Sequence, residues 1–372
     1  MKLNLSRSLA LLAVFPSACS VAQSMPDAAP IRVAIVGLVH NHVSGLFSAL
    51  PKNGNVVLVG IAEPQTELAA RYEKKFHLDH GLFYSDTEAM LAAVHPQAVL
   101  VYTSIADHRK VIELAARLGI SSMVEKPLAT TMPDALAIRR AAREHHVLVL
   151  VNYETTWYAS NAEALHEAEA GKLGEVRKIV VHDGHGGPKE IGVTPEFLSW
   201  LTDPEKNGAG ALFDFGCYGA DLVTVLMHGQ LPLSVTAVTQ TDKPEIYPKV
   251  DDDATVILRY AKSQAVLMPS WDWPFSRKDM ELYGVTGSAV TLAANDLLVH
   301  YGKQPETSMT APELPPDRAN SLSYLAAVLR GQIEPDGDLS SLDTNMVVMQ
   351  ILDAARSSAK SGRTVMLKPL PQ

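Results

Sequence analysis

At 372 residues, with 47% hydrophobic and 20% charged side chains, the chain is too long for one ordinary core, suits two domains, and lacks the composition of a disordered protein. A formal charge of −9 and a pI near 5.8 argue against a nucleic-acid or anionic-membrane partner, because phosphate groups would be repelled by the average surface. What the balance allows is a small ligand.

The first residues read as an address rather than as fold. Lys2 and Arg7 form a basic start, residues 9–15 an apolar run, and Ser20-Val21-Ala22 a small-residue cleavage site. Residues 1–22 are therefore expected to be a removed signal peptide and the protein to be exported, to the periplasm or beyond. The run is far below the ~20 residues of a spanning helix, so no membrane insertion is expected. Cys19 after Ser17-Ala18 leaves lipid attachment open, although Pro16 stands where such signals usually carry Leu. After cleavage only Cys217 remains, so no intrachain disulfide can form.

From residue 31 the pattern alternates as a parallel sheet demands. Apolar runs at 31–36, 56–62, 98–102, 121–124 and 147–151 read as buried strands, and helical spacing at 43–50, 65–76, 107–118 and 135–145 fills the gaps. This is a doubly wound Rossmann unit over 31–151. Beyond it the order changes: a helix at 162–170, a strand at 175–182, a helix at 210–227, then strands at 235–239, 254–260, 265–269, 278–283 and 288–292 separated by turn residues. Helices at 322–330 and 342–358 close the chain, and the Pro-rich stretch 305–316 reads as a loop. The expected class is α/β, with residues 152–372 forming an α+β domain around a large, mainly antiparallel open sheet that binds substrate and mediates dimerisation.

The first strand ends at Gly37, and Leu38-Val39-His40-Asn41-His42 leads into a helix, the place where a pyrophosphate meets backbone N–H groups. A G-x-G-x-x-G fingerprint would put glycines at Val39 and His42, so only Gly37 matches, and a tight structural turn fits the loop as well as a phosphate cradle. Glu63, at the end of the second strand, can accept both ribose hydroxyls and would repel a 2′-phosphate, which favours NAD over NADP; a solvent-facing glutamate is the plain alternative.

Glu125-Lys126-Pro127 follows the fourth strand, Thr103-Ser104 to His108 forms the turn after the preceding strand, and 208–216 reads GAGALFDFG. In these elements the chain resembles the Gfo/Idh/MocA oxidoreductase family from about residue 31 to its end. The resemblance implies that Lys126 orients substrate beside the nicotinamide, that Gly37, Val39, His40, Asn41, His42, Glu63, Thr103, His108 and Glu125 border the cofactor, and that Pro127 can hold a cis bond. The family's Asp-x-x-x-His element here reads Asp214-Phe215-Gly216-Cys217-Tyr218, with tyrosine in place of histidine as in some relatives. If helical, this spacing sets Asp214 and Tyr218 on one face. Free Tyr titrates near ~10 and His near ~6.5, so Tyr218 would arrive as a proton donor, and a neighbouring Lys126 would lower its pKa by roughly 1 to 3 units.

His182 and His185, in a loop past a second-domain strand, and Tyr153 and Trp157, at the domain seam, are expected to contact sugar hydroxyls and ring faces; a domain or dimer interface suits the aromatics equally. No metal site is expected: the His40, His42, His182 and His185 collection lacks a Cys or clustered carboxylate to complete it. Asp251-Asp252-Asp253 reads as a solvated turn rather than a calcium loop. The expected activity is NAD-dependent hydride transfer to or from a ring hydroxyl of a sugar or polyol. An NAD-dependent glycoside hydrolase of the same family, working by transient oxidation and elimination, and a non-catalytic exported sugar-binding module remain alternatives. A homo-oligomer formed through the C-terminal sheet is the expected assembly.

Overall fold

The computed structural model describes residues 29–369; the expected signal peptide and Cys19 lie outside them. The first unit runs β1 (Ile31–Val36), α1 (Val43–Ala49), β2 (Val56–Ala62), α2 (Thr66–Phe76), β3 (Phe83–Tyr84), α3 (Thr87–Val94), β4 (Ala98–Val101), α4 (His108–Arg117), β5 (Ser121–Glu125), α5 (Met132–His145) and β6 (Val149–Asn152). Its six strands are all parallel in the order β3-β2-β1-β4-β5-β6. Crossovers leave β1 in opposite directions, so the β1–β4 boundary is the switch point where a crevice opens at the strands' carboxyl ends. Every residue of β4 is buried, which explains its uninterrupted apolar sequence. The sequence reading omitted β3, only two residues long, and α3, which the Asp86 carboxylate starts by accepting the Ala89 N–H.

The chain continues with α6 (Ala159–Glu169), β7 (Val176–Gly184), α7 (Pro195–Leu201), α8 (Pro204–Asn207), α9 (Ala211–Asp214) and α10 (Gly216–Leu226). Then come β8 (Ser234–Gln240), β9 (Asp253–Arg259), β10 (Gln264–Ser270), β11 (Arg277–Gly284), β12 (Gly287–Thr291), β13 (Asp296–Tyr301) and β14 (Thr307–Thr310). The chain ends on α11 (Ser321–Leu329), α12 (Leu342–Ser361) and β15 (Val365–Met366). The nine strands lie in the order β14-β13-β12-β11-β7-β10-β9-β8-β15, antiparallel except for the β7–β10 pair. Helices α10 and α12 pack on one face. Helix α6 packs on β11, and alternation along that strand puts Met280 and Leu282, both fully buried, on one face together with Lys278. Arg277, Asp279 and Glu281 occupy the other face, beside the half-buried Val180, Ile257, Val266 and Met268 of neighbouring strands. Helix α11 returns to the Rossmann unit, where Leu322, Leu325 and Val328 join Val33, Ile35 and Leu100 in one core.

Three expectations are corrected here. The helix expected at 210–227 is two helices, bent by 60° at Phe215. The Asp214 carbonyl accepts the Lys126 ammonium (2.8 Å) and the Cys217 thiol (3.3 Å), drawing it out of a continuous ladder. The loop expected at 305–316 contains β14, added to the sheet edge by pairing with β13. The acidic triplet is not a solvated turn. Asp251 accepts the N–H groups of Gly210 (2.9 Å) and Leu212 (2.7 Å), and the fully buried Asp252 accepts those of Asp242 and Lys243 (both 2.7 Å).

Candidate active site

The loop after β1 is built on Gly37. Its φ of +82° is a conformation that favours glycine, and a Cβ there would meet the Thr103 methyl at 2.7 Å, so the turn is pressed against the end of β4. Glu63 sits beside it, but its carboxylate serves the protein's own backbone: Oε2 accepts the Leu38 N–H (2.8 Å) and Oε1 the Gln65 N–H (2.9 Å). Burial raises its pKa, and those two N–H groups only partly offset this. Near Glu63 lies α7, which the sequence reading did not foresee and whose Glu196 adds to the rise in the Glu63 pKa. Trp200 of that helix donates its indole N–H to the Val39 carbonyl (3.3 Å), Phe197 and Trp200 pack around the His40 ring at 4.8 and 5.4 Å, and Glu196 pairs with Arg71 of α2 at 2.7 Å. A strap thus lies across the groove between α2 and the first loop. The positive-φ turn, the acid at the end of β2 and the switch-point crevice fit a dinucleotide.

At the switch point His42 and Glu125 meet at 2.9 Å, and Asn152 donates to the other Glu125 oxygen at 2.9 Å. Burial opposes the Glu125 charge, but His42 and Asn152 outweigh it and lower its pKa. Asn41, His42, Tyr102, Glu125 and Trp157 border a cleft of about 420 Å³ that reaches α11. Asn41, His42 and Glu154 also border a second, deeper cavity of about 210 Å³, shared with Lys126, His185, Asp214, Tyr218 and Lys278.

Chemistry concentrates in that second cavity. The Lys126–Pro127 bond is cis. Lys126, 4% exposed, directs its ammonium to Asp214 Oδ1 at 2.5 Å, and the Trp271 indole N–H holds Oδ2 at 2.9 Å. Desolvation works against both charges; the mutual attraction prevails, raising the Lys126 pKa and lowering that of Asp214. Two ammonium groups approach the Tyr218 ring, Lys126 at 4.9 Å and Lys278 at 5.0 Å from its centroid, and its hydroxyl makes no hydrogen bond among the described residues. The Tyr218 pKa is pushed well above 10 by burial first and then by Glu154 and other acids, so the expected lowering by Lys126 is overturned. The ammonium lies over the ring face, and burial dominates. Asp214 and Tyr218 do converge, although across the bend at Phe215 rather than along one helical face.

The other expected residues divide. His185 borders the cavity, its Nδ1 accepting the Gly187 N–H at 2.9 Å. Tyr153 lies behind it, edge-on to Tyr218 at 5.5 Å and donating to Asn345 at 2.7 Å, so it positions Tyr218. Trp157 donates to Asn152 at 3.0 Å and borders the first cleft only. His182 is directed away: it pairs with Asp279 at 3.0 Å on the face of the sheet opposite Lys278. His108, fully buried, lies under the Glu-Lys-Pro turn with Nδ1 at 3.2 Å from the Leu128 carbonyl, and burial lowers its pKa to about 4. Thr103 touches Gly37 and donates to the Ser104 carbonyl at 2.9 Å. Two residues were missed: Glu154 and Lys278, which form an ion pair at the cavity rim. Lys278 had a signal, a lysine in register with the inward Met280 and Leu282.

A six-stranded dinucleotide-type sheet, joined to a nine-stranded sheet with a buried Lys–Asp pair and a tyrosine at the seam, defines a two-domain oxidoreductase. Residues 31–153 match the oxidoreductase family with an NAD-binding Rossmann fold and residues 162–290 the GFO/IDH/MocA C-terminal domain, so the chain belongs to the Gfo/Idh/MocA family of NAD-binding oxidoreductases. It is 25% identical to a trans-1,2-dihydrobenzene-1,2-diol dehydrogenase of Xenopus laevis over 63% of this chain and 67% of that one. It is 24% identical to a D-apiose dehydrogenase of Paraburkholderia graminis over 84% of each. In fold it resembles an aldose-aldose oxidoreductase from Caulobacter crescentus (TM-score 0.76, 21% identity, covering 91% of this chain and all of that one). An inositol dehydrogenase homologue from Azotobacter vinelandii, crystallised with NAD+, is equally similar (TM-score 0.78, 21% identity, 91% and 98% covered).

Proposed function

We propose that the protein transfers hydride between NAD and a ring CH–OH group of a neutral sugar or polyol. The observation that carries this reading is the cavity bordered by both Lys126, whose ammonium is 4.9 Å from the Tyr218 ring centroid, and Tyr218, whose hydroxyl has no hydrogen-bond partner among the described residues. When bound, NAD supplies the hydride acceptor or donor; Gly37 to His42, Glu63, Thr103 and Glu125 would border it. Lys126, held by Asp214, orients the substrate oxygen and favours negative charge on it. Tyr218 donates the proton during carbonyl reduction and takes it back during oxidation. Asp214 does not need to touch substrate, because both its oxygens are engaged by Lys126 and Trp271.

The substrate class follows from charge and size. Lys126 is matched by Asp214 and Lys278 by Glu154, so the cavity offers no uncompensated cation for an acidic sugar. Its volume of about 210 Å³ is below the ~300–1,000 Å³ of drug-sized ligand sites and suits one ring. The two relatives aligned above are both named dehydrogenases, so the hydrolase reading is not taken further. We also read residues 1–22 as an export signal, and the half-buried apolar outer face of the nine-stranded sheet as the surface on which two copies would associate. Purified protein incubated with NAD+ and a panel of neutral monosaccharides and cyclic polyols should produce NADH, and Lys126→Met should abolish it. NADH formation that persists in Lys126→Met would refute the assignment.

A further inference from the structure

We propose that His40, His42 and Glu125 form a binding site for a divalent transition-metal ion of the zinc class. The proposal stands independently of the hydride-transfer reading. His40 Nε2 lies 3.9 Å and His42 Nδ1 2.9 Å from the same oxygen, Glu125 Oε2, and the three ligand atoms fall within 4.8 Å of one another. Zinc bonds of ~2.0–2.2 Å in a tetrahedron space their ligand atoms about 3.4 Å apart, and the 2.9 and 3.9 Å separations from Glu125 Oε2 bracket that spacing.

The surroundings are those of a ligand set. Glu125 and His40 are each 1% exposed, and Asn152 holds the second Glu125 oxygen at 2.9 Å, leaving Oε2 to face the imidazoles alone. Capture through His40 Nε2 places the ring proton on Nδ1, so the 3.3 Å contact from the His42 N–H is lost and that backbone group must turn away. The adjacent Lys126 charge is absorbed by Asp214. Two imidazoles and one carboxylate select a zinc-like ion over magnesium or calcium, which prefer all-oxygen shells. Three protein ligands leave a position free, as in catalytic rather than structural sites. His42 borders both cavities, so a water or substrate oxygen can reach that position.

One rival cluster exists among the described residues. His182, Asp279 and Glu281 also converge, but the Arg277 guanidinium already donates to Asp279 at 2.5 and 3.0 Å and to Glu281 at 3.4 Å, filling the place of a cation. The histidine pair lies in the first loop while its carboxylate comes 83 residues later, at the end of β5, which is why inspection of the sequence found no acid to complete it.

The test uses full-length protein stripped with EDTA, then equilibrated with Zn²⁺ and analysed by equilibrium dialysis with metal quantification, and with Co²⁺ for its visible absorption. One ion per chain and tetrahedral cobalt bands are expected. His42→Ala, a change at a half-exposed side chain that circular dichroism would verify as folded, should weaken binding at least ~100-fold, while His182→Ala leaves it intact. No retained ion, or binding that survives His42→Ala, or binding lost in His182→Ala, overturns the proposal.

Discussion

Asp214→Asn separates electrostatics from shape at the centre of the site. The substitution keeps the side-chain volume and a hydrogen-bonding group for the Trp271 indole, but leaves the Lys126 ammonium without its counter-charge in a place where it is 4% exposed. Breaking one partner of a buried pair costs about 3–5 kcal/mol, a large part of a typical total of ~5–15 kcal/mol. At roughly 2–4 °C per kcal/mol the melting temperature should fall by about 6–20 °C at pH 7, read by circular dichroism on the full chain. Replacing both partners, as Lys126→Met with Asp214→Leu, removes the stranded charge and should return stability to within about 1 kcal/mol of wild type. The pH dependence has a definite sign. The Asp214 pKa is depressed in the folded protein, so its contribution is present above the unfolded value of ~3.9 and is lost as pH falls through the folded one; there the Asn variant and wild type should converge. A loss below about 1 kcal/mol at pH 7, or a double variant no better than the single one, would refute the reasoning.

Tyr218→Phe should slow carbonyl reduction by about 10²–10⁴-fold with little change in KM, since a proton donor is lost and the ring contacts with Tyr153 and the lysines are kept. Because burial drives the Tyr218 pKa well above 10, the neutral donor persists across the working range, and the reduction rate of the wild type should show no basic limb from this group up to about pH 10. A limb near neutrality that vanishes in Tyr218→Phe would contradict it. Gly37→Ala places a methyl 2.7 Å from Thr103 on a backbone with φ of +82°, so it should cost about 1–3 kcal/mol in denaturant unfolding and weaken NAD binding in calorimetry. Unchanged stability and NAD affinity would show that the turn relaxes freely.

The layers of the fold were legible where burial on both faces imposes one composition. β1 and β2 coincide with their expected spans because Val33, Ile35 and Ile61 have no solvent side, and Arg32, exposed near the start of β1, is the one charged residue in the two runs. Legibility failed where a structure is made by partners rather than by its own pattern. β14 exists through pairing with β13, and the acidic triplet looked solvated until Gly210, Leu212, Asp242 and Lys243 brought their N–H groups to it. Such donors carry no side-chain signature, so composition alone assigns those acids to water.

The site divides along the same line. Lys126, Asp214 and Tyr218 were readable because each sits in a short motif whose strand or helix context is local; their mutual geometry was not, since the bend at Phe215 depends on Lys126 reaching the Asp214 carbonyl from another domain. The direction of the Tyr218 shift failed for a related reason. A nearby cation lowers a phenol by attracting the phenolate, but here the loss of solvation on burial is the largest effect and Glu154 and other acids add to it, which decides the sign. His40 and His42 show the converse. His42 replaces an expected glycine, which on local rules weakens a phosphate cradle, yet the fold sets both histidines beside Glu125, with the Phe197 and Trp200 rings packed on His40. A ring at position 40 of this strand-to-helix turn is tolerated because Phe197 and Trp200 of α7 enclose it, whereas the His42 side chain stays half-exposed, so the loop and α7 pack as one unit on the His40 side.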